Sequence, residues 1–571
     1  MRMGLSLVRM LLLPIIVFLL LVTDQACSFV VPSSVKHFST GSIVIHPHSG
    51  HSSSSASLWN NQSVRSGVVV SAASSSSTSK NEVRDDPDGI LPASVGVGIV
   101  TAGVGFAYGQ CLRVSQSTLW KTLPNYLLSK NISIHPLYFI TGMFTLGGCT
   151  IGILSSLFES VEYTVADFVS AFSSSTSNAE SETENELPNS RTSLMPLLLM
   201  SLVTSAFGFS LGPEAPMVCA GSILGASIGK KIFDKPSNNK LRNIRTCAYS
   251  GAAGALTAFM GIPIAGSIFA LEMTRSSAGI TSSNSNVLSP AIAASLAALV
   301  VLKGILLPHT PMGGHFDYGL SNTLISGRSM VLGAVASGLG GALIGTGFHK
   351  LVTFLKHTLW PTTTNNTTKQ KEDGLWNAKN KRRILIKTCM GLLIGLLSTK
   401  FPQTMFWGEG SLQCVIDGQQ TPFEATPHGL APWLTSMAMV STSQPYATSQ
   451  AAILVGSVKV LSIALACAGK FPGGIIFPLF AAAAPFAHGF ASNLVGPTLL
   501  PMIVLSLMTA TQAAVTRTPL ASSLILCLTA SHNTAMSTML PASLLASYIS
   551  VWASQYLSSK SYFQYSEQST S

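Results

Sequence analysis

A lone carboxylate in an apolar, proline-broken stretch is the first residue of this chain whose chemistry demands an explanation. Glu214 stands in Leu211-Gly212-Pro213-Glu214-Ala215-Pro216. Burying its charge in a low-dielectric surrounding is costly, so by type and place it is a functional candidate. The prolines fit the first turn of a helix, where no amide hydrogen is needed, and Gly212 lets backbone approach an ion closely. A helix starting here presents unpaired amides and the positive end of its dipole, which attract anions. The Glu214 carboxylate can fill that anion site itself. An incoming anion must then displace it, and protonation would release it, so Glu214 is a candidate gate and proton acceptor. The plain alternative is a helix-start carboxylate that only complements the dipole.

A second break of the same kind lies in Phe471-Pro472-Gly473-Gly474-Ile475-Ile476-Phe477-Pro478. Gly473 and Gly474 again permit close backbone approach, and a helix beginning just after Pro478 presents unpaired amides. A second isolated acid, Glu272, ends the apolar segment after Pro263, with Arg275 three residues on. Two roles are open to it: a helical pair with Arg275, or a relay passing protons between one aqueous side and Glu214.

The elements that carry these residues repeat. Ile262-Pro263-Ile264-Ala265-Gly266-Ser267-Ile268 matches Thr518-Pro519-Leu520-Ala521-Ser522-Ser523-Leu524 in pattern at an offset of 256, and Pro216 and Pro478 are offset by 262. Paired apolar segments interrupted by Gly and Pro, at corresponding places in two halves, point to a transporter whose substrate sits at the repeat interface. Of the 571 residues only 10% are charged and 47% are hydrophobic, and mean hydropathy is +0.44. There are too few charges for several water-facing domains, so the chain reads as an all-α polytopic membrane protein. Apolar stretches from about residue 90 to residue 551 give ten or more crossings, many shorter than a full span, as expected of helices broken at mid-depth around a polar cavity.

The net charge of +11 sits mostly in short loops. Residues 230–245 and 369–387 carry six and seven basic residues against one and two acidic ones, which places both loops on one face of the membrane rather than on a nucleic acid. Four glutamates between Glu180 and Glu186 read as a solvated linker. Nine cysteines, scattered singly, indicate neither a disulfide framework nor a zinc site, and no cofactor is called for. At the N-terminus two arginines precede a 13-residue apolar run, and the stretch from Phe29 to Asn81 is Ser-rich and free of acid. This reads as a signal peptide over 1–28 and a transit-like segment over 29–86.

Together these residues resemble the CLC family of chloride channels and proton-coupled anion exchangers. Gly212 to Pro216 looks like its G(K/R)EGP signature with the gating glutamate at Glu214. Phe269-Ala270-Leu271-Glu272-Met273 resembles the helix end that reads Glu-Glu-Met in exchangers, and Gly469 to Pro478 resembles the GxFxP region. Arg517-Thr518-Pro519-Leu520 matches a further family segment. The resemblance covers roughly 90–565 and implies a CLC-like fold of two inverted-topology halves, about 87–310 and 325–565, with a tail at 566–571. It implies anion contacts at Gly212, Ala215, Pro216, Gly473, Gly474, Ile475 and Ile476, and an inner-gate tyrosine at Tyr562. It also implies a homodimer in membrane lipid, with chloride as the default anion, nitrate next, and protons as a coupled ion.

The chain departs from the pattern in three places. GKEGP has become GPEAP, the Phe of GxFxP falls one position late at Phe477, and the GSGxP signature is missing where only Ser173 to Ser177 stands. An acid at Glu272 resembles exchangers and leans the reading toward exchange. The N-terminal address resembles the bipartite presequence of plastids from secondary endosymbiosis, which implies a thylakoid or envelope membrane, and otherwise an endomembrane. Three rivals remain: a carrier of a metabolite or cation, a non-conducting scaffold, and an intramembrane serine protease on Gly208-Phe209-Ser210-Leu211-Gly212 with His488 or His532. The last is disfavoured because that motif needs a strand-to-helix elbow, and the expectation is a protein that is not an enzyme.

Overall fold

The computed structural model describes residues 89–132, 134–158, 190–234, 240–262, 264–278, 285–307, 316–320, 325–360, 377–418, 430–440, 446, 448–496, 498–530, 536–558 and 562. The two N-terminal segments, Ser173 to Ser177, the acidic stretch at 180–186, Pro263 and His532 lie outside the described residues, as does the side chain of Arg275.

The described residues are mostly helical, as the apolar stretches require: in hydrocarbon each backbone group must find its partner within its own segment. The first half holds α1 (Ile90–Ser117), α2 (Leu123–Ser129), α3 (Pro136–Leu157), α4 (Ser190–Ala206), α5 (Glu214–Ile232), α6 (Lys240–Met260), α7 (Ala265–Ala278) and α8 (Ser285–Val300). The second holds α9 (Gly327–Leu359), α10 (Ala378–Lys400), α11 (Leu412–Ile416), α12 (Ser449–Ala468), α13 (Ile476–Ala491), α14 (Leu500–Thr516), α15 (Pro519–Leu528) and α16 (Met536–Leu557). Five of the described helical segments are long and apolar enough to cross a membrane, while Leu194–Ala206, Ile476–Ala491, Leu500–Thr516 and Pro519–Leu528 are apolar but too short. Short helices of this kind leave their ends within the bilayer, where a polar cavity must satisfy them.

Packing repeats between the halves. In the first, α6 packs on α1, α5 and α8; in the second, α14 packs on α9, α13 and α16 in the same way. The halves meet where α3 lies along α10 and where α7 lies against α15. Glycines bring these backbones together. A Cβ at Gly152 of α3 would fall 2.8 Å from the Cα of Ile384 on α10, and one at Gly395 would fall 2.9 Å from the Cα of Thr141. Small residues are the usual means of helix association where lipid supplies no hydrophobic drive.

Among the described residues, Glu214, Lys387 and Lys459 are the fully buried side chains of acid or base type besides His349. Long apolar side chains such as Leu332, Leu343, Val300 and Leu494 stand on the outside, as suits a lipid-facing surface.

Candidate functional site

The approach to Glu214 is fixed from the other half of the chain. After α4, Gly208 turns with a φ of +88°, and Phe209 wedges between Phe144, with ring centroids 5.2 Å apart, and Phe471, at 4.5 Å. The amide of Phe406 donates to the Gly208 carbonyl at 2.7 Å, and the Ser210 hydroxyl donates to the Thr404 carbonyl. Lys459, deep in α12, donates its ammonium to the carbonyls of Thr404 at 2.9 Å and Phe406 at 2.6 Å. A buried cation is tolerable only where its protons are used. Here they hold the loop after α10 against the turn that leads to Glu214.

The two sequence breaks meet. The Gly212 amide donates to the Gly474 carbonyl at 2.9 Å, and the Gly474 amide donates back to the Gly212 carbonyl, forming an isolated antiparallel bridge between the halves. Glu214 is fully buried at this crossing. A Cβ on either Gly212 or Gly474 would overlap its Oε2, so glycine is required at both positions for the carboxylate to sit where it does. Helices α5 and α13 each carry proline at their third residue, Pro216 and Pro478. Their first two residues therefore supply the free amides: Glu214 and Ala215 on one side, Ile476 and Phe477 on the other. The amides of Glu214 itself and of Phe477 face the carboxylate, yet neither oxygen completes a hydrogen bond with a described residue.

Gly473 abuts Leu211, and Ile475 precedes the first turn of α13 with its side chain buried. Gly212, Ala215, Pro216, Gly473, Gly474, Ile475 and Ile476 thus share one crossing. Pro216 has no amide hydrogen, so it shapes the turn rather than donating.

Glu272 lies elsewhere. It is half-buried on α7 and accepts the Leu520 amide on Oε1 at 3.0 Å and the Ala521 amide on Oε2 at 2.7 Å. Those are the second and third residues of α15, so the carboxylate caps that helix across the interface between the halves. Tyr562 packs against Phe348, with centroids 6.2 Å apart, and against His349, with the Lys356 ammonium 5.4 Å from its ring centre. Its amide donates to the Val515 carbonyl at 3.4 Å. Ser210 and His488 are not joined: the His488 ring nitrogen Nε2 is held by the carbonyls of Val415 and Ile416.

Two groups that sequence reasoning passed over also stand within electrostatic reach of Glu214. Glu409 receives a hydrogen bond from the Trp407 indole at 2.9 Å. Tyr108 of α1 shares a hydrogen bond of 2.9 Å with Ser201. In sequence the first stands in a plain Trp-Gly-Glu run at 407–409 that does not single it out; the structure gives its neighbour Gly408 a φ of +94°.

The family pattern described as voltage gated chloride channel matches residues 165–551, about two thirds of the chain. The chain belongs to the CLC family. YfeO of Salmonella schwarzengrund, a protein named for ion transport, is 23% identical over 392 residues, which are 68% of this chain and 76% of that one. Among solved structures, a slow cyanobacterial Cl-/H+ antiporter superposes with a TM-score of 0.62 at 16% identity, covering 84% of this chain and 97% of its own. A eukaryotic CLC transporter gives 0.56 at 15% identity, covering 84% and 74%, and a CLC-type fluoride/proton antiporter gives 0.53 at 16%, covering 81% and 95%. The CLC fold of two halves with helices broken at mid-membrane is therefore the fold of this protein, and its family function is anion transport across a membrane.

Proposed function

We propose that this CLC protein moves chloride, or a related anion such as nitrate, through the Gly212–Gly474 crossing, with the Glu214 side chain as the displaceable gate. One observation carries the reading: a fully buried carboxylate occupies the meeting point of two helix N-termini without completing a hydrogen bond to either. That is where an anion of the same charge would be stabilised. The free amides of Ala215 and Ile476 supply donors to the anion once the carboxylate swings away, and Gly473 and Gly474 leave room for it. Tyr562 is our candidate for the inner constriction.

The acid at Glu272 supports exchange with protons. A passive channel is the second reading, favoured by Glu272 engaging both oxygens with amides of α15, which suits a structural cap better than a relay. We further propose a homodimer in lipid, addressed by residues 1–86 to a plastid membrane; the Ser-rich, acid-free composition of residues 29–81 supports that address. The test is chloride flux and lumenal pH recorded together in liposomes. Chloride movement that drives protons the opposite way supports exchange; chloride movement without protons supports the channel; no anion flux overturns both.

A further inference from the structure

A cavity of about 460 Å³ opens between the end of α9 and the start of α10, lined by Trp360 and five basic side chains: Lys379, Arg382, Arg383, Lys387 and Lys470. We propose that it is a binding site for an anion bearing phosphate groups. Among the described residues the chemistry of the lining is one-sided, since none of those that line it is an acid. Two adjacent guanidiniums offer the planar fork that matches phosphate oxygens, and the volume far exceeds what a bare halide needs. The cavity also takes in Ala378, the first residue of the 23-residue α10. Its first-turn amides and dipole thus add to the same positive field.

The site is built rather than a loose surface patch. Arg382 donates to the Leu359 carbonyl at 3.1 Å and Arg383 to the Ser155 carbonyl at 2.9 Å, bonds that fix both forks. Lys387 is 2% exposed; its ammonium donates to the Lys470 carbonyl at 2.8 Å and lies 5.8 Å from the Phe471 ring centre. Lys470, at a φ of +54°, sets its own ammonium 4.9 Å from the Trp360 ring centre. Lys470 and Phe471 lead directly into Gly473 and Gly474, and the Phe471 ring packs at a tilt against Phe209, which leads to Gly212. A ligand that draws on Lys387 and Lys470 therefore acts on both strands of the crossing, and its occupancy is read as a change in anion flux.

The phosphate could be free in solution or belong to a lipid headgroup, and the test separates the two. The full chain is titrated with inorganic pyrophosphate in detergent. It is then reconstituted in vesicles containing either phosphatidylinositol 4-phosphate or phosphatidylserine at equal charge, with flux recorded. A Lys379→Ala/Arg382→Ala variant removes two exposed cations of the cavity; a Lys121→Ala/Lys130→Ala variant removes two exposed lysines elsewhere. Saturable pyrophosphate binding, weakened about tenfold or more only in the first variant, supports the site with a soluble ligand. A flux change in phosphoinositide over phosphatidylserine vesicles, lost only in the first variant, supports it with a lipid ligand. Equal behaviour of the two variants, or no response to either probe, overturns the proposal.

Discussion

Glu214 is intelligible only with the two glycines that face it. A charged group buried without partners costs more than the about 1–3 kcal/mol of a neutral orphan, and the nearby helix ends offset part of that cost. Because Gly212 and Gly474 admit no Cβ beside Oε2, the Gly474→Ala substitution overpacks the crossing by about 1–3 kcal/mol. It should lower anion flux sharply, whereas Gly496→Ala, where a Cβ meets nothing within 4 Å, should leave flux unchanged. Flux from liposomes holding equal amounts of each variant checks this. The glutamate and the glycines could be read from the sequence because an acid between prolines in an apolar stretch has few structural explanations. Glu409 could not. It sits in a loop after α10, and only the tertiary approach of Gly408 to Ala481 of α13 brings it toward Glu214.

At the level of elements, the sequence breaks and the helix starts agree. Helices α5 and α13 begin inside the GPEAP and FPGGIIFP breaks, at Glu214 and Ile476, two residues before Pro216 and Pro478, and the long apolar run from Leu499 to Val551 divides into α14, α15 and α16. The pairing of elements was less visible: Lys459 lies within what reads as a plain apolar span, Ala451 to Ala468, and its use as a clamp depends on carbonyls 53 and 55 residues away. Glu272 likewise reads as a local partner for Arg275 or a proton relay, and its long-range pairing with the amides of Leu520 and Ala521 has no counterpart in the local sequence. As a cap, it predicts that Glu272→Ala leaves two amides of α15 without their acceptor and costs about 0.5–2 kcal/mol. Glu272→Gln keeps an acceptor oxygen and should melt closer to the parent in detergent. If Glu272 also relays protons, the Gln variant should keep chloride flux and lose proton coupling, a result that a purely structural cap would not give.

Over the whole molecule, the internal offsets of 256 and 262 residues correspond to two halves with matching packing, joined by the Gly212–Gly474 bridge, the α3–α10 contact and the Glu272 cap. The repeat was legible because each half must solve the same problem of ending a helix inside the membrane. What joins the halves was not, since hydrogen bonds between glycine backbones leave no side-chain signature. The central claim is that the anion path runs through this bridge and that the Glu214 carboxylate closes it. The most direct test is chloride flux at several pH values from liposomes holding either the parent protein or Glu214→Ala, with lumenal pH followed at the same time. The account predicts pH-dependent flux in the parent and persistent flux in Glu214→Ala that no longer responds to pH or moves protons. A Glu214→Ala protein whose flux keeps the parent's pH response and proton movement would contradict it.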